Sequence, residues 1–178
     1  MLTLLLLRHA KSSWDAPIAD DFERPLADRG RNAAPLMGRF IEENNLKPEL
    51  VLCSSAVRTQ ATLDLVMAEL GKPPPAVRYE DQLYLAPASS LLADIRRTAA
   101  RWKRVMLVGH NPGMHDLARH LIGMGEPPLL AALGGKFPTA ALAVLTFDAT
   151  HWADVGEHGG RLTHFVTPAG LGKGSPSA

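Results

Sequence analysis

Cysteine is almost absent: Cys53 is the only one in 178 residues. An internal disulfide is excluded, and so is a cysteine-rich metal site. That usage fits a reducing compartment. Net charge is nearly absent too, at +1, so no global field recruits nucleic acid or an anionic membrane. Any attraction for anions has to be local. The apolar run near the start, Leu2 to Leu7, is only six residues, against about 20 for a membrane span. No basic region precedes it, so it is not read as a signal peptide. The expected location is the cytoplasm, with no nucleic-acid or membrane partner. Neither an internal repeat nor an inter-domain linker is visible. What remains is ordinary for a soluble globular chain: 46% hydrophobic and 21% charged residues, enough for one domain with a substantial core. That domain is expected over residues 1–169. The tail, residues 170–178, is rich in Gly, Ser and Pro and is expected to be disordered.

The run Leu2–Leu7 has no polar alternation, so it reads as a strand covered on both faces, as in a parallel sheet. A polar loop over residues 10–29 follows, then a helix from about Arg31 to Asn44, with Asp28 or Gly30 at its start and Pro35 in its first turns. Glu49–Cys53 is a second apolar strand, and a helix is expected from Val57 to Leu70. A weak strand lies near Val77–Tyr79 and a helix over Leu91–Trp102. Arg104–Gly109 is the clearest internal strand. Asn111 as N-cap and Pro112 as first residue open a helix to about Ile122. Residues 123–138 read as loop. Ala140–Phe147 and Leu162–Val166 are two last strands, joined without a helix and able to pair antiparallel. Strands alternating with helices predict an α/β three-layer sandwich: a mostly parallel central sheet with helices on both faces.

In open α/β sheets, ligands bind beyond the carboxyl ends of the strands. Three strands end there in polar residues. The first gives Arg8 and His9. The second gives Ser54 and Ser55, then Arg58 and Thr59 one turn on. The third gives His110 at a helix N-terminus, whose free N–H groups favour an anion. Should these ends adjoin, two guanidiniums and two imidazoles form an electropositive cage in a nearly neutral protein. Arg offers a planar fork for paired anionic oxygens. His can act as nucleophile, acid or base near neutral pH. Such a cage suits phosphoryl transfer, where catalysis is mainly positioning and charge stabilisation.

The segments LLLLRHAKSS, CSSAVRTQAT and VGHNPG, in this order, resemble the three signatures of the histidine phosphatase superfamily, whose fold is phosphoglycerate mutase-like. The run RHAKSSWD…DFERPLADRGRNAA and the short chain are similar to its SixA-like phosphohistidine phosphatases. The resemblance spans Leu2 to Phe147. It implies that His9 is the nucleophile and forms a phosphohistidine intermediate. Arg8 and Arg58 bind the equatorial phosphoryl oxygens, and His110 donates to the same group. No metal and no cofactor are implied. His9 must be neutral at one nitrogen to attack, so its other nitrogen is expected to meet a backbone carbonyl.

Three departures from the family's commonest pattern bear on substrate. Arg-His-Gly becomes Arg8-His9-Ala10, which would be strained if the position needed φ > 0. No acidic general acid stands in a convincing motif, Glu80 and Asp81 being the candidates. No long insertion forms a lid. An alkoxide leaving group needs a proton, whereas the imidazole of a phosphohistidine leaves more easily. The expected partner is therefore a phosphorylated protein, such as a His-phosphotransfer domain. The alternatives are a phosphatase of small phosphate esters and a catalytically weak phosphate-binding module.

The remaining candidates divide between site and scaffold. Ser12, Asp15 and Trp14, in the loop after His9, are candidates for substrate contact, or merely order that loop. Lys11 could steer anions. Ser54 reads better as a turn or cap residue than as a ligand. His115 and His120 are five apart and poorly placed for one helical face, so they make a weak metal site. Cys53 reads as core.

Overall fold

The computed structural model describes residues 1–15, 17 and 20–172. Strands β1 (Leu2–Arg8), β2 (Leu50–Ser54), β3 (Ala76–Glu80), β4 (Arg104–Gly109), β5 (Ile122–Gly125), β6 (Leu142–Phe147) and β7 (Gly160–Val166) form one sheet. Their order is β3-β2-β4-β1-β6-β7-β5. The run from β3 to β1 is parallel. β6 is antiparallel to both its neighbours, and β5 is parallel to β7. The sheet is therefore mostly parallel, with β6 the reversed strand, and β6 and β7 pair as expected.

Alternate residues of β1 enter two different cores, which is why the strand is apolar throughout. Leu4 and Leu6 pack on one side with Leu107 and with helices α3 (Ala88–Arg96), α4 (Gly113–Leu121) and α5 (Pro127–Gly135). Leu5 and Leu7 pack on the other with Val108 and with helices α1 (Asp28–Glu43) and α2 (Val57–Met67). Each leucine so buried contributes roughly 2 kcal/mol of transfer free energy. The result is the three-layer architecture read from the sequence. Among the described residues, no helix is long and apolar enough to cross a membrane.

The differences are local. Residues 123–138 are not loop: they carry β5 and α5. Pro127 and Pro128 occupy the first positions of α5, where a missing N–H breaks no helical bond. Helix α1 begins at Asp28, with Ala27 at its cap and no side-chain cap bond, so Pro35 lies in its interior. Helix α2 stops at Met67, and α3 runs from Ala88 only to Arg96. In α4 Pro112 takes the cap position, while the Asn111 side chain accepts from His115 N at 3.3 Å. Of the expected tail, Gly170–Gly172 belong to a short helix α6 (Pro168–Gly172), and residues 173–178 lie outside the described residues.

Candidate active site

Strands β2, β4 and β1 are adjacent and parallel, so their carboxyl ends lie side by side. Arg8 ends β1 directly opposite Gly109 of β4. The next amide, His9 N, donates to Gly109 O at 3.1 Å. His9 and His110 therefore leave the sheet as neighbours, with ring centroids 5.3 Å apart. Arg58 reaches the same point from the first turn of α2. All four side chains line one cavity of about 370 Å³.

Each is held by its surroundings. His9 is 7% exposed, and its Nδ1 lies 2.8 Å from Ala10 O. Only a protonated Nδ1 can make that bond, which leaves the Nε2 lone pair free. This is the backbone carbonyl expected at one of the two His9 ring nitrogens. Burial, then the Arg58, Arg8 and Arg24 charges, outweigh that bond and push the His9 pKa down to about 4. The ring is neutral at pH 7. His110 Nε2 pairs with Ser54 Oγ at 2.8 Å, so Ser54 positions an imidazole. Burial, His9 and Arg58 push the His110 pKa down to about 3. Its Nδ1 is buried with no partner among the described residues. Arg8 donates from Nη1 to Phe137 O at 3.1 Å.

Ala10 needs no left-handed backbone and is fully buried, so the strain considered for it does not arise. Its amide donates to Thr62 Oγ1 at 2.9 Å, and the Thr62 hydroxyl donates to Arg58 O at 2.7 Å. One side chain thus joins the loop after β1 to helix α2.

Ser12 and Trp14 also line the cavity, and Asp15 does not. Ser12 Oγ accepts from Arg24, and Trp14, 72% exposed, lies over the Arg24 guanidinium with its centroid 3.3 Å away. Glu80 and Asp81 are outside the cavity, bonded to Gln82 and Ser55. Sequence reasoning missed Asp21, Arg24 and Tyr84. Arg58 donates to the Asp21 carbonyl at 2.8 Å and to its carboxylate at 3.0 Å. Arg24 donates to that carboxylate at 2.9 Å, and the Tyr84 hydroxyl does so as well. These bonds, that from Tyr84 first, hold the Asp21 carboxyl well below the usual carboxylate range. Asp20, Asp21, Glu23 and Arg24 form a mixed-charge run that reads as solvated loop, so no local signal marked them.

Among the described residues, no group of three or more His, Cys, Asp or Glu side chains could hold a metal ion. His115 Nε2 instead meets Leu133 O at 2.6 Å. Cys53 is core: burial raises its thiol pKa to about 12.

Residues 4–83 match the family model of the histidine phosphatase superfamily, branch 1. A solved structure from Agrobacterium tumefaciens, provisionally assigned as phosphohistidine phosphatase SixA, is 33% identical with a TM-score of 0.79. The alignment covers 94% of this chain and 98% of that one. The chain belongs to the histidine phosphatase superfamily. Phosphatase activity is supported by that membership and by its SixA-like neighbours. A protein histidine phosphatase SixA complexed with tungstate shares the fold of this superfamily member, with a TM-score of 0.77 at 24% identity over 96% of this chain and 99% of that one. An uncharacterised protein of Mycobacterium tuberculosis, Rv1276c, is 37% identical over 91% of this chain and 99% of its own length.

Proposed function

We propose that this phosphatase removes the phosphoryl group from phosphohistidine on a protein, in the cytoplasm, through a phosphohistidine intermediate on His9. His9 Nε2 attacks phosphorus and the N–P bond to the substrate imidazole breaks. The leaving imidazole takes its proton from water. A water molecule then attacks phospho-His9, which releases inorganic phosphate and restores the free ring. Arg8 and Arg58 hold the equatorial oxygens, and Arg24 with Ser12 extends that cradle. His110 lines the same cavity and stands beside the transferred group. The cations and the imidazole offset the charge gathered in transfer, where enzymes of other designs use a metal.

The observation that favours phosphohistidine concerns a proton. Asp21 is the carboxylate lining the cavity. Bonds from Tyr84, Arg24 and Arg58 keep it ionised, so it is a poor acid for a departing alkoxide. A leaving group that departs without such help suits the site better. A substrate panel tests this. Phosphohistidine peptide is expected to show a higher kcat/KM than 3-phosphoglycerate or other alkyl phosphates; the reverse order defeats the reading. His9→Ala is expected to lower turnover by at least about 10³-fold and to abolish a base-stable, acid-labile phosphoprotein adduct trapped by alkaline quench.

A further inference from the structure

We infer that a second anion-binding pocket adjoins the phosphoryl site and takes another anionic group of the same substrate, a carboxylate or a second phosphate. The inference rests on phosphatase action at the neighbouring cavity, though not on the identity of the phosphorylated group. The pocket encloses about 320 Å³, and Lys11, Arg29 and Lys136 line it together with Thr139 and Thr167. Among the described residues, no carboxylate lines it. Lys11 and Thr139 also line the cavity around His9, so the two spaces share a wall.

The charged side chains of this pocket are all of one sign. Lys plus Arg number 19 and Asp plus Glu 18, and among the described residues five arginines meet acids. The pairs are Arg24 and Arg58 with Asp21, Arg31 with Asp28, Arg39 with Glu69, and Arg97 with Asp94. Lys11, Arg29 and Lys136 make no ion pair among the described residues. Asp28, the acid next to Arg29, is engaged by Arg31. Three like charges around one concavity repel one another and concentrate anions there.

The walls are also tied to the catalytic backbone. A Cβ on Gly30 would lie 2.2 Å from Lys11 O. Only glycine lets α1 press this closely on the loop that follows His9, and Ala27 N fastens the contact by donating to Lys11 O at 2.9 Å. Lys11 and Arg29 are thereby held on one side. On the other, Lys136 precedes Phe137, whose carbonyl accepts from Arg8 at 3.1 Å and from Asn111 at 2.9 Å. Ala140 N closes that segment onto His9 O at 2.9 Å. A substrate whose phosphoryl group sits at His9 therefore meets this basic pocket at a fixed offset.

The test is competition against p-nitrophenyl phosphate hydrolysis by the full chain. One pair of competitors is a phosphoserine peptide with glutamate flanks and its alanine-flanked counterpart. The other pair is propane-1,3-diyl bisphosphate and propyl phosphate. In at least one pair the more anionic member is expected to inhibit about tenfold more strongly, since each exposed cation is worth a few-fold. The pair that responds identifies the source of the anion. In the double variant Arg29→Gln/Lys136→Gln that ratio should fall to about two, and ~1 M salt should erase it in the wild type. Hydrolysis of p-nitrophenyl phosphate itself should not change. Ratios near one in both wild-type pairs, or a ratio that survives the double substitution, overturn the proposal. Failure to turn over phosphohistidine peptide would defeat the substrate reading above and leave this ratio unaffected.

Discussion

The protein has a cleft at each end of its sheet, and the larger one is chemically the quieter. At the amino ends of β2, β3 and β4, about 640 Å³ is enclosed by residues that include Glu42, Lys47, Pro73–Pro75, Trp102 and Arg104. The charged groups there mostly serve local backbone. Lys47 donates to Gly71 O and Pro73 O, each at 3.0 Å. Glu42 accepts from Gly71 N at 3.1 Å, and Arg104 donates to Lys47 O at 3.1 Å. At the carboxyl ends, about 370 Å³ collects two imidazoles with depressed pKa values and three arginines. Size separates the two less well than convergence does. A site needs side chains from several elements that point at one spot and retain capacity for a ligand.

That contrast can be broken experimentally. Arg58→Ala should lower kcat/KM for p-nitrophenyl phosphate by about 10²–10³-fold, the usual cost of one preorganised donor to developing charge. A loss under tenfold would remove Arg58 from the phosphoryl site. The next effect is on stability. His9 and His110 titrate near 6.5 when unfolded but at about 4 and about 3 when folded. Between those values the unfolded chain binds more protons, so stability rises with pH through this window and falls as pH drops from about 6.5 towards 4. Urea denaturation at pH 7.5, 6.0 and 4.5 should show a loss on the order of 5 kcal/mol, roughly half from each ring, and a His9→Ala/His110→Ala variant should show a shallower slope. Thr62→Val removes both the acceptor for Ala10 N and the donor to Arg58 O. It should cost about 1–3 kcal/mol by the same denaturation assay. Glu42→Gln, in the larger cleft, should change kcat/KM less than about twofold, as surface substitutions remote from a site usually do.

Legibility followed local chemistry. Arg104–Gly109 was read to the residue, because the four apolar positions of a doubly covered strand, Val105–Val108, stand between a charged residue and a glycine. The convergence of His9, Arg8, Arg58 and His110 was legible because each lies at a strand end or shortly beyond one. The Asp21–Arg24–Tyr84 cluster was not, because only folding brings Tyr84 to Asp21, 63 positions before it. Strand β5 was hidden for another reason. Its sequence IGMG has no alternation to detect, and Gly123 is required by contact, since a Cβ there would sit 1.9 Å from His158 O. Helix α1 starts at Asp28, one of the two starts offered, and the choice stayed open because Ala27 has no capping oxygen to mark it.

Strand β6 runs against the rest of its neighbourhood, and this has an evolutionary consequence. Because Leu142 stands beside Leu7, the chain passes the catalytic end of the sheet on its way into β6, through residues 136–140. That connection carries none of the four groups assigned to phosphoryl transfer, yet it walls both basic spaces. Exchanging its side chains at Lys136 and Thr139 would alter what the two spaces admit, while Phe137 O and Ala140 N kept their backbone bonds to Arg8 and His9.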